Sequence, residues 1–321
     1  HLAVLRRKVL NLADLSVVIG FHFALTELAA KLGVMPRARR HLETARALAS
    51  RIEDEAIRAD LKMIEVALAA LAGNFGDALQ YALELVPIVE KSGYATKLTV
   101  PINLGHLLTI RARFEEALIV LTQGLTARTF SGGGQVAMLD TLMQLRLFQG
   151  NLQEAAALSE SIQELLDRTK TDGSYFGLWH QLTKVKFLYR VGRTKEGVEL
   201  ALQAMPRIKR MADRNLLERI TLLAAEGVAR TGDASKAAEL VAIASLGNGD
   251  PSLDILAEIS RTSGRLTSAE NPTAAAAHFY QATAMLEHIG NLAAAAEVKN
   301  DVAELLASTS VATATDDNSV S

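Results

Sequence analysis

Apolar positions recur at helical spacing along nearly the whole chain. After Gly73, apolar residues fall three and four positions apart from Ala78 to Val89. This spacing places them on one face of an amphipathic α-helix. A polar stretch at 90–93 then precedes a second predicted helix over about 96–110. The pattern therefore predicts a unit of helix, tight turn, helix and looser connection.

This unit is repeated along the sequence. A short motif recurs six times: Gly or a small residue, a polar residue, an apolar or small residue, two further residues, then Ala or Gly. The motif begins at Gly33, Gly73, Ala112, Gly150, Gly192 and Gly232, at intervals of 38 to 42 residues. A Gly at the end of a helix adopts the left-handed conformation at low cost, and a small residue lets two helices approach closely. A fixed period of this length predicts an all-α helical repeat array.

The motif resembles the tetratricopeptide repeat, whose signature places an aromatic residue or Leu two positions after Gly, and Ala three positions further on. The matching sets are Gly73/Phe75/Ala78, Gly150/Leu152/Ala155 and Phe114/Ala117, and the motifs at Gly192 and Gly232 match more loosely. The resemblance covers about residues 14–307 and implies a right-handed superhelical solenoid of antiparallel helix pairs. The unit of about 40 residues is longer than the usual 34. That longer form is similar to the sensor arrays of large bacterial transcription activators, such as the maltose-regulon activator.

The sequence predicts two segments. Residues 1–307 form a repeat domain of about seven helix pairs with an atypical first and last unit, and residues 308–321 form a disordered Ser/Thr-rich tail or linker. In the first unit, residues 2–13 are predicted to be an orphan helix. The last part is predicted as a short helix near 253–261, a loop through Gly264 to Pro272, and helices over 273–289 and about 292–307. The Ser/Thr tail and the absence of an initial Met favour a piece of a larger protein.

Composition excludes several classes of protein. The chain has no Cys, which excludes disulfides, thiolate catalysis and Cys-based metal sites. It has no apolar run of about 18 residues and no signal peptide, so a cytoplasmic protein without a membrane span is expected. The formal net charge of −2 disfavours a dedicated nucleic-acid binder. A basic cluster near the start is consistent with a solvated face or with contact to nucleic acid or an acidic partner: Arg37, Arg39, Arg40, His41 and Arg46.

The sequence lacks the residues of a recognisable catalytic or metal site. No two of the seven His residues are three or four positions apart, as a helical metal site requires. Ser131–Gly134 is rich in Gly but lacks the Lys-Ser/Thr of a phosphate-binding loop, and we interpret it as a connection between repeats. The sequence therefore predicts a protein that is not an enzyme and that uses no cofactor or metal.

Solenoids bind ligands on the concave surface formed by the first helix of each pair. Counting back about 3, 6, 10 and 13 residues from each turn gives the inward positions. The predicted ligand-binding residues in the middle of this surface are Asn103, His106, Asp140, Gln144, Trp179, Lys186 and Tyr189. Polar groups beside a large aromatic ring suit an extended peptide or a small polar effector. The alternative is that Trp179 and Tyr189 are packing residues and that Asp140 pairs with Lys186.

Two functional hypotheses follow. The first is a binding domain for a protein, peptide or effector, acting as the sensor region of a larger bacterial transcriptional regulator. The second is a scaffold that self-associates into a homo-oligomer through its convex face or its end units, residues 2–13 and 292–307. Light scattering at several concentrations separates the two, because only a scaffold self-associates.

Overall fold

The computed structural model describes residues 14–92, 99–126, 132–246 and 251–317. These residues form 15 α-helices and no strand. In chain order the helices are α1 (Leu15–Lys31), α2 (Met35–Ala49), α3 (Glu55–Leu71), α4 (Phe75–Ser92), α5 (Val100–Ile110), α6 (Phe114–Thr126), α7 (Gly133–Phe148), α8 (Leu152–Thr169), α9 (Tyr175–Arg190), α10 (Thr194–Met211), α11 (Arg214–Arg230), α12 (Ala234–Ser245), α13 (Leu253–Thr267), α14 (Pro272–His288) and α15 (Leu292–Asp317).

The repeated motif forms the turn inside each helix pair. Helices α1 to α12 form six antiparallel pairs, and each pair is joined at one of the six predicted motifs. The first residue of the motif has a positive φ in every pair, including 57° at Ala112 and 75° at Gly73. At Gly73 this conformation lets the backbone N–H groups of Gly73 and Asn74 bond the carbonyls of Ala70 and Ala69, at 3.0 and 2.8 Å. The predicted array of helix pairs is therefore confirmed.

The small residue of each motif lies where the two helices of a pair touch. Ala78, Ala117 and Ala155 are completely buried there. In the fifth pair the residue is Gly197, and the ring of Tyr189 occupies the space that a side chain would need: an added Cβ would lie 2.8 Å from Tyr189 Cδ1. The motif at Gly192 departs from the tetratricopeptide pattern at this position because the Tyr189 ring fills the space that the Ala methyl group fills in the other pairs.

Gly197→Ala should lower the free energy of unfolding by about 1–3 kcal/mol, because the new methyl group overlaps a rigid ring that cannot move aside. Gly20→Ala is the matched control, since Gly20 also lies within a helix but an added Cβ meets nothing within 4 Å. The control should stabilise the protein by up to about 1 kcal/mol through helix propensity. Thermal denaturation followed by circular dichroism measures both. A melting temperature raised equally by both substitutions would contradict the packing assigned to Tyr189.

The first helices of the pairs form an inner layer. Helices α5, α7, α9, α11 and α13 contact one another in succession, as do α1 and α3. The second helices pack mainly against their own partners and the following unit. The inner faces of α3, α5, α7, α9, α11 and α13 therefore face one common space.

The array closes on itself across this space. Lys31 Nζ, at the end of α1, lies 4.7 Å from the ring centre of Tyr175 at the start of α9. The N–H group of Phe75 donates to the carbonyl of Ile289 at 3.3 Å, and the Arg111 guanidinium donates to the carbonyl of Gly290 at 3.3 Å. The last unit therefore packs against the second and third helix pairs, and the end of α1 reaches the start of α9.

An apolar cluster fills the junction where the last helices meet the early ones. It contains buried residues from α3 to α7 and from α13 to α15, including Phe75, Leu107, Phe279, Ala295 and Val298. Because α15 packs against α5 and α14, the unit at 292–307 is not the exposed apolar end that the scaffold hypothesis assumes.

The prediction of a loop through Gly264 is wrong. Helix α13 continues through Gly264 to Thr267. The ring of Phe279 lies against this glycine, and an added Cβ would be 2.7 Å from its Cε1 atom. Gly264 therefore serves a close contact between α13 and α14 and does not end a helix.

Two other helix boundaries differ from the prediction. Helix α5 begins at Val100, with Pro101 in its first turn, where the missing N–H group costs nothing. Helix α15 runs to Asp317, beyond the predicted boundary at 307, since extending an existing helix adds one hydrogen bond for each residue fixed. The division into a repeat domain and a separate tail stays a prediction, and residues 2–13 and 318–321 lie outside the described residues.

One repeat motif escaped the sequence analysis. Gly290-Asn291-Leu292 leads to Ala295, with φ of 77° at Gly290, and it joins α14 to α15 as the other motifs join their pairs. It begins 58 residues after Gly232, so the period of about 40 did not reveal it. Among the described residues, no helix is long and apolar enough to cross a membrane.

Candidate ligand-binding cavity

The inner faces of the helices enclose a cavity of about 220 Å³. Residues from α3, α5, α7, α9, α11 and α13 line it, and the turn before α15 and the start of α15 complete the wall. At about 10–15 Å³ for each water centre, this space holds on the order of fifteen water molecules. The cavity is therefore sized for a small molecule or a short stretch of peptide.

Five of the seven predicted site residues line this cavity. They are His106, Gln144, Trp179, Lys186 and Tyr189. Asn103 and Asp140 are not among the lining residues. Whether the five bind a ligand stays a prediction.

Asp140 is buried beneath the cavity wall, with 1% of its surface exposed. Its carboxylate lies 2.9 Å from His180 Nδ1 and accepts hydrogen bonds from Thr183 Oγ1 at 3.0 Å and Gln144 Nε2 at 2.8 Å. No ion pair joins it to Lys186 among the described residues, so the alternative pairing is not formed. Asp140 therefore positions Gln144, which does reach the cavity.

His106 is held as a neutral imidazole. Burial lowers its pKa to about 4, and the positive charges of Arg219 and Lys186 act in the same direction. The Asp140 carboxylate and a hydrogen bond with Gln144 oppose this shift without reversing it. At neutral pH His106 thus offers an uncharged ring to the cavity.

His106 should make the protein less stable as the pH falls from about 6.5 to about 4. Its pKa is lower in the folded chain than in the unfolded chain, so its contribution is present above about pH 6.5 and disappears as the pH falls through this window. The loss is at most about 3 kcal/mol. Urea unfolding at several pH values should show this loss in the wild type and in the exposed control His288→Gln, but not in His106→Gln. If the free energy of unfolding depended on pH in the same way in all three proteins, the role assigned to His106 would be contradicted.

Asn103 contacts a neighbouring helix and is not among the residues that line the cavity. Its Nδ2 atom lies 3.1 Å from Met63 Sδ on α3, a weak acceptor for an amide donor. This contact ties α5 to α3. Asn103 lies on an inner-layer helix but contacts α3, and its role in ligand binding stays a prediction.

The two predicted aromatic residues differ in their roles. Tyr189 is only 6% exposed, and its hydroxyl donates to the carbonyl of Leu223 at 2.8 Å. Burial and the nearby Glu226 raise the pKa of this hydroxyl. Trp179 is half-buried and stacks on Tyr175, with ring centres 6.2 Å apart and planes at 28°. Of the two predicted aromatic residues, Trp179 is therefore the one that offers its ring to the cavity, whereas most of Tyr189 is used in packing.

A network of charges lies along one side of the cavity, and most of it was not predicted as site. Arg261 bonds Asp301 at 2.7 Å and Glu297 at 3.1 Å, and Arg190 pairs with the same Glu297. Arg265 pairs with Asp301 and with Glu226. The network links α9, α11 and α13 to α15. It therefore connects the end of the array to its middle.

Glu226 is ionised within this network. Burial alone would raise its pKa, but the charges of Arg265, Arg230 and Arg261 outweigh burial and lower it. The spacing rule also places Glu226 and Arg219 on the inner face, although neither was chosen as a site residue. In α13, the spacing of Glu258, Arg261 and Arg265 by three and four was the signal that could have revealed that wall.

The basic cluster near the start is partly engaged in contacts. Arg46 pairs with the buried Glu65 at 2.7 Å, and His41 lies 3.2 Å from His22. Arg37, Arg39 and Arg40 are exposed. Within the described ranges, no group of three or more His, Asp or Glu residues is arranged to hold a metal ion.

No protein-family model matches the chain, and no curated protein matches its sequence. The chain is similar in structure to a Rap protein crystallised in complex with competence and sporulation factor. The TM-score is 0.61 and the identity 13%, over 92% of this chain and 89% of that one. It is also similar to a signal-transduction ATPase with numerous domains and a tetratricopeptide-repeat sensor from Pyrococcus horikoshii. Here the TM-score is 0.53 and the identity 15%, over 84% of this chain and 42% of the ATPase, so the chain spans less than half of the ATPase's length.

The repeat motifs, the helix pairs and these similarities define the class. The chain is a tetratricopeptide-repeat-like array, an all-α solenoid. At identities of 13% and 15%, the two structures establish its fold alone.

Proposed function

We propose that this array is a binding domain that takes a small effector or a short peptide segment into its central cavity, and that it serves as the regulatory sensor of a bacterial transcriptional regulator. The observation that carries the proposal is the cavity itself, which is lined by aromatic residues, Trp179 among them, and by several polar groups on helices from across the array. Such a site is typical of ligand pockets, in which a few placed polar groups fix the orientation of a mostly apolar contact.

The closed form of the array supports a sensor role. The cavity walls include the end of α3 and the start of α15, so a ligand inside contacts both an early and a late part of the chain. A ligand that fits the closed form better than an open form stabilises the closed form by its difference in affinity. Both similar structures come from proteins whose names indicate regulation: a Rap protein with a bound factor, and a signal-transduction ATPase with a sensor.

Trp179 provides the test, because it is the only Trp in the chain. The protein is incubated with a pool of random tetrapeptides and with a panel of small polar metabolites, and native mass spectrometry identifies the bound species. Trp179→Ala should weaken binding of that species at least tenfold, since removal of a central aromatic contact costs about 2 kcal/mol or more. Calorimetry measures the affinity.

Phe176→Ala is the matched control. Phe176 lies on the same helix but is exposed, and its ring covers Gly133 rather than the cavity. The Phe176→Ala protein should bind the ligand with the same affinity as the wild type. A pool in which nothing binds, or equal affinities for the wild type and Trp179→Ala, would show that the cavity is not the site.

A further inference from the structure

The cavity wall has more positive than negative side chains. The lining includes six cations, Lys186, Arg190, Arg219, Arg230, Arg261 and Arg265, but only three carboxylates, Glu226, Glu258 and Glu297. Asp301 and Asp254, outside the lining, pair with some of these arginines. The side chains that line the cavity therefore carry an excess of positive charge, and a partly enclosed space strengthens the effect of any charge that is not neutralised.

The arginines already have partners. Arg190 and Arg261 share Glu297, Arg230 and Arg265 share Glu226, and Arg219 pairs with Asp254. Each guanidinium is therefore held in place by a carboxylate of the protein. These ion pairs hold the arginine side chains in the wall in place. They also neutralise most of the charge, so that little of it is left to attract a ligand.

Lys186 differs from all of them. No hydrogen bond and no ion pair joins its ammonium group to any other residue in the described part of the chain. It lies on α9, one turn from Thr183 and about two turns from Trp179, and its side chain is exposed towards the cavity. Glu226 attracts it at longer range, but Glu226 already receives two arginines.

Its surroundings supply the other contacts that a carboxylate needs. Gln144 is held by the buried Asp140, and His106 is a neutral ring beside it. The positive charges of Arg219 and Lys186 act at His106 against the negative charge of Asp140. Trp179 lines the same cavity with a flat apolar face.

We propose that the ligand carries a carboxylate that pairs with the Lys186 ammonium group, while its apolar part lies on Trp179. This inference rests on the proposed function, because it names the chemistry of the ligand that the cavity takes. The carboxylate belongs either to the C-terminus of a short peptide or to a small organic acid, and the chemistry at Lys186 is the same for both.

The electrostatic potential at the Trp179 ring can be measured without a ligand. Iodide and caesium ions quench Trp fluorescence, and their relative efficiency reports the potential at the ring. The ratio of the iodide to the caesium quenching constant should be higher for Trp179 than for N-acetyltryptophanamide at equal ionic strength, and Lys186→Gln should reduce the iodide quenching constant by roughly twofold or more. Neutral acrylamide should quench both proteins equally.

Lys184→Gln is the matched control for charge. Lys184 is on the same helix, but its ammonium group donates to Gln163 Oε1 on α8 at 2.9 Å and it does not line the cavity. The Lys184→Gln protein should have the same iodide quenching constant as the wild type. An iodide-to-caesium ratio equal to that of N-acetyltryptophanamide, or an equal effect of both lysine substitutions, would overturn the assignment of Lys186.

The ligand chemistry is tested with paired pools. Random tetrapeptides are used with a free or an amidated C-terminus, and a panel of small organic acids is compared with the corresponding amides. The free acids should bind at least tenfold more tightly than the amides, and Lys186→Gln should remove most of that preference. Binding by the peptide acids alone or by the small acids alone identifies the source of the carboxylate.

The two proposals fail differently. If amides and acids bind equally and Trp179→Ala weakens both, the cavity is the site but the carboxylate inference is wrong. If neither pool binds, the proposed function fails and the carboxylate inference fails with it.

Discussion

Replacement of Asp140 by Ala should destabilise the array by about 3–5 kcal/mol, one of the two largest effects expected for a single substitution. The carboxylate is the common acceptor for Gln144, Thr183 and the ring of His180, all at 3.0 Å or less. Its removal leaves these buried polar groups without their acceptor, at a cost of about 1–3 kcal/mol for each unsatisfied group. The Nε2 atom of His180 already has no partner, so this ring has no alternative bond to form.

Thr141→Ala is the control for this prediction. Thr141 is the next residue and is also buried, but its hydroxyl bonds the carbonyl of Ala137 within its own helix at 2.8 Å. Its loss should cost about 1 kcal/mol. Urea unfolding followed by circular dichroism gives both values. Equal midpoints for the two variants would show that the Asp140 cluster contributes no more than an ordinary buried hydroxyl.

Arg261→Met should also destabilise the protein by about 3–5 kcal/mol, and it should do so by loosening α15. Arg261 is 12% exposed and bonds both Glu297 and Asp301, so its loss leaves two partly buried carboxylates with fewer partners. Arg261 and Arg265 lower the pKa of Asp301 against the effect of burial, so that pKa should rise in the variant. Limited proteolysis should then cut near α15 earlier than in the wild type.

Arg193→Met tests whether any arginine pair would have this effect. Arg193 bonds Glu196 through two short hydrogen bonds, but both side chains are more than half exposed. Solvent screens the charges of such an exposed pair, so its loss should have little effect on stability. If Arg193→Met destabilised the protein as much as Arg261→Met, or if α15 were cut at the same rate in all proteins, the network would not hold the array closed.

The sequence was sufficient for the repeat because the constraint is local. A residue with positive φ followed by a small residue five positions later is required at every turn, whatever the rest of the chain does. Gly264 was misinterpreted because a glycine also serves close packing, and only the position of Phe279 distinguishes the two uses. The motif at Gly290 was missed because α13 interrupts the period.

The candidate site was predicted less completely, for a different physical reason. Helical periodicity places residues on an inner face, which is why His106 and Trp179 line the cavity. Periodicity does not determine the total rotation of the superhelix, because small rotations between successive units add up. The role of Arg190 and Glu297 depends on that total rotation, since these residues are 107 positions apart in the chain.

The closure has a kinetic consequence. In an open solenoid each unit contacts only its neighbours, so folding can begin at any unit and spread. The hydrogen bond from Arg111 to Gly290 joins residues 179 positions apart, and the entropy of closing so long a loop must be overcome before this contact is formed. Units can therefore fold in any order, but the step that creates the cavity comes last, and deletion of one repeat from the middle would leave the two ends out of register.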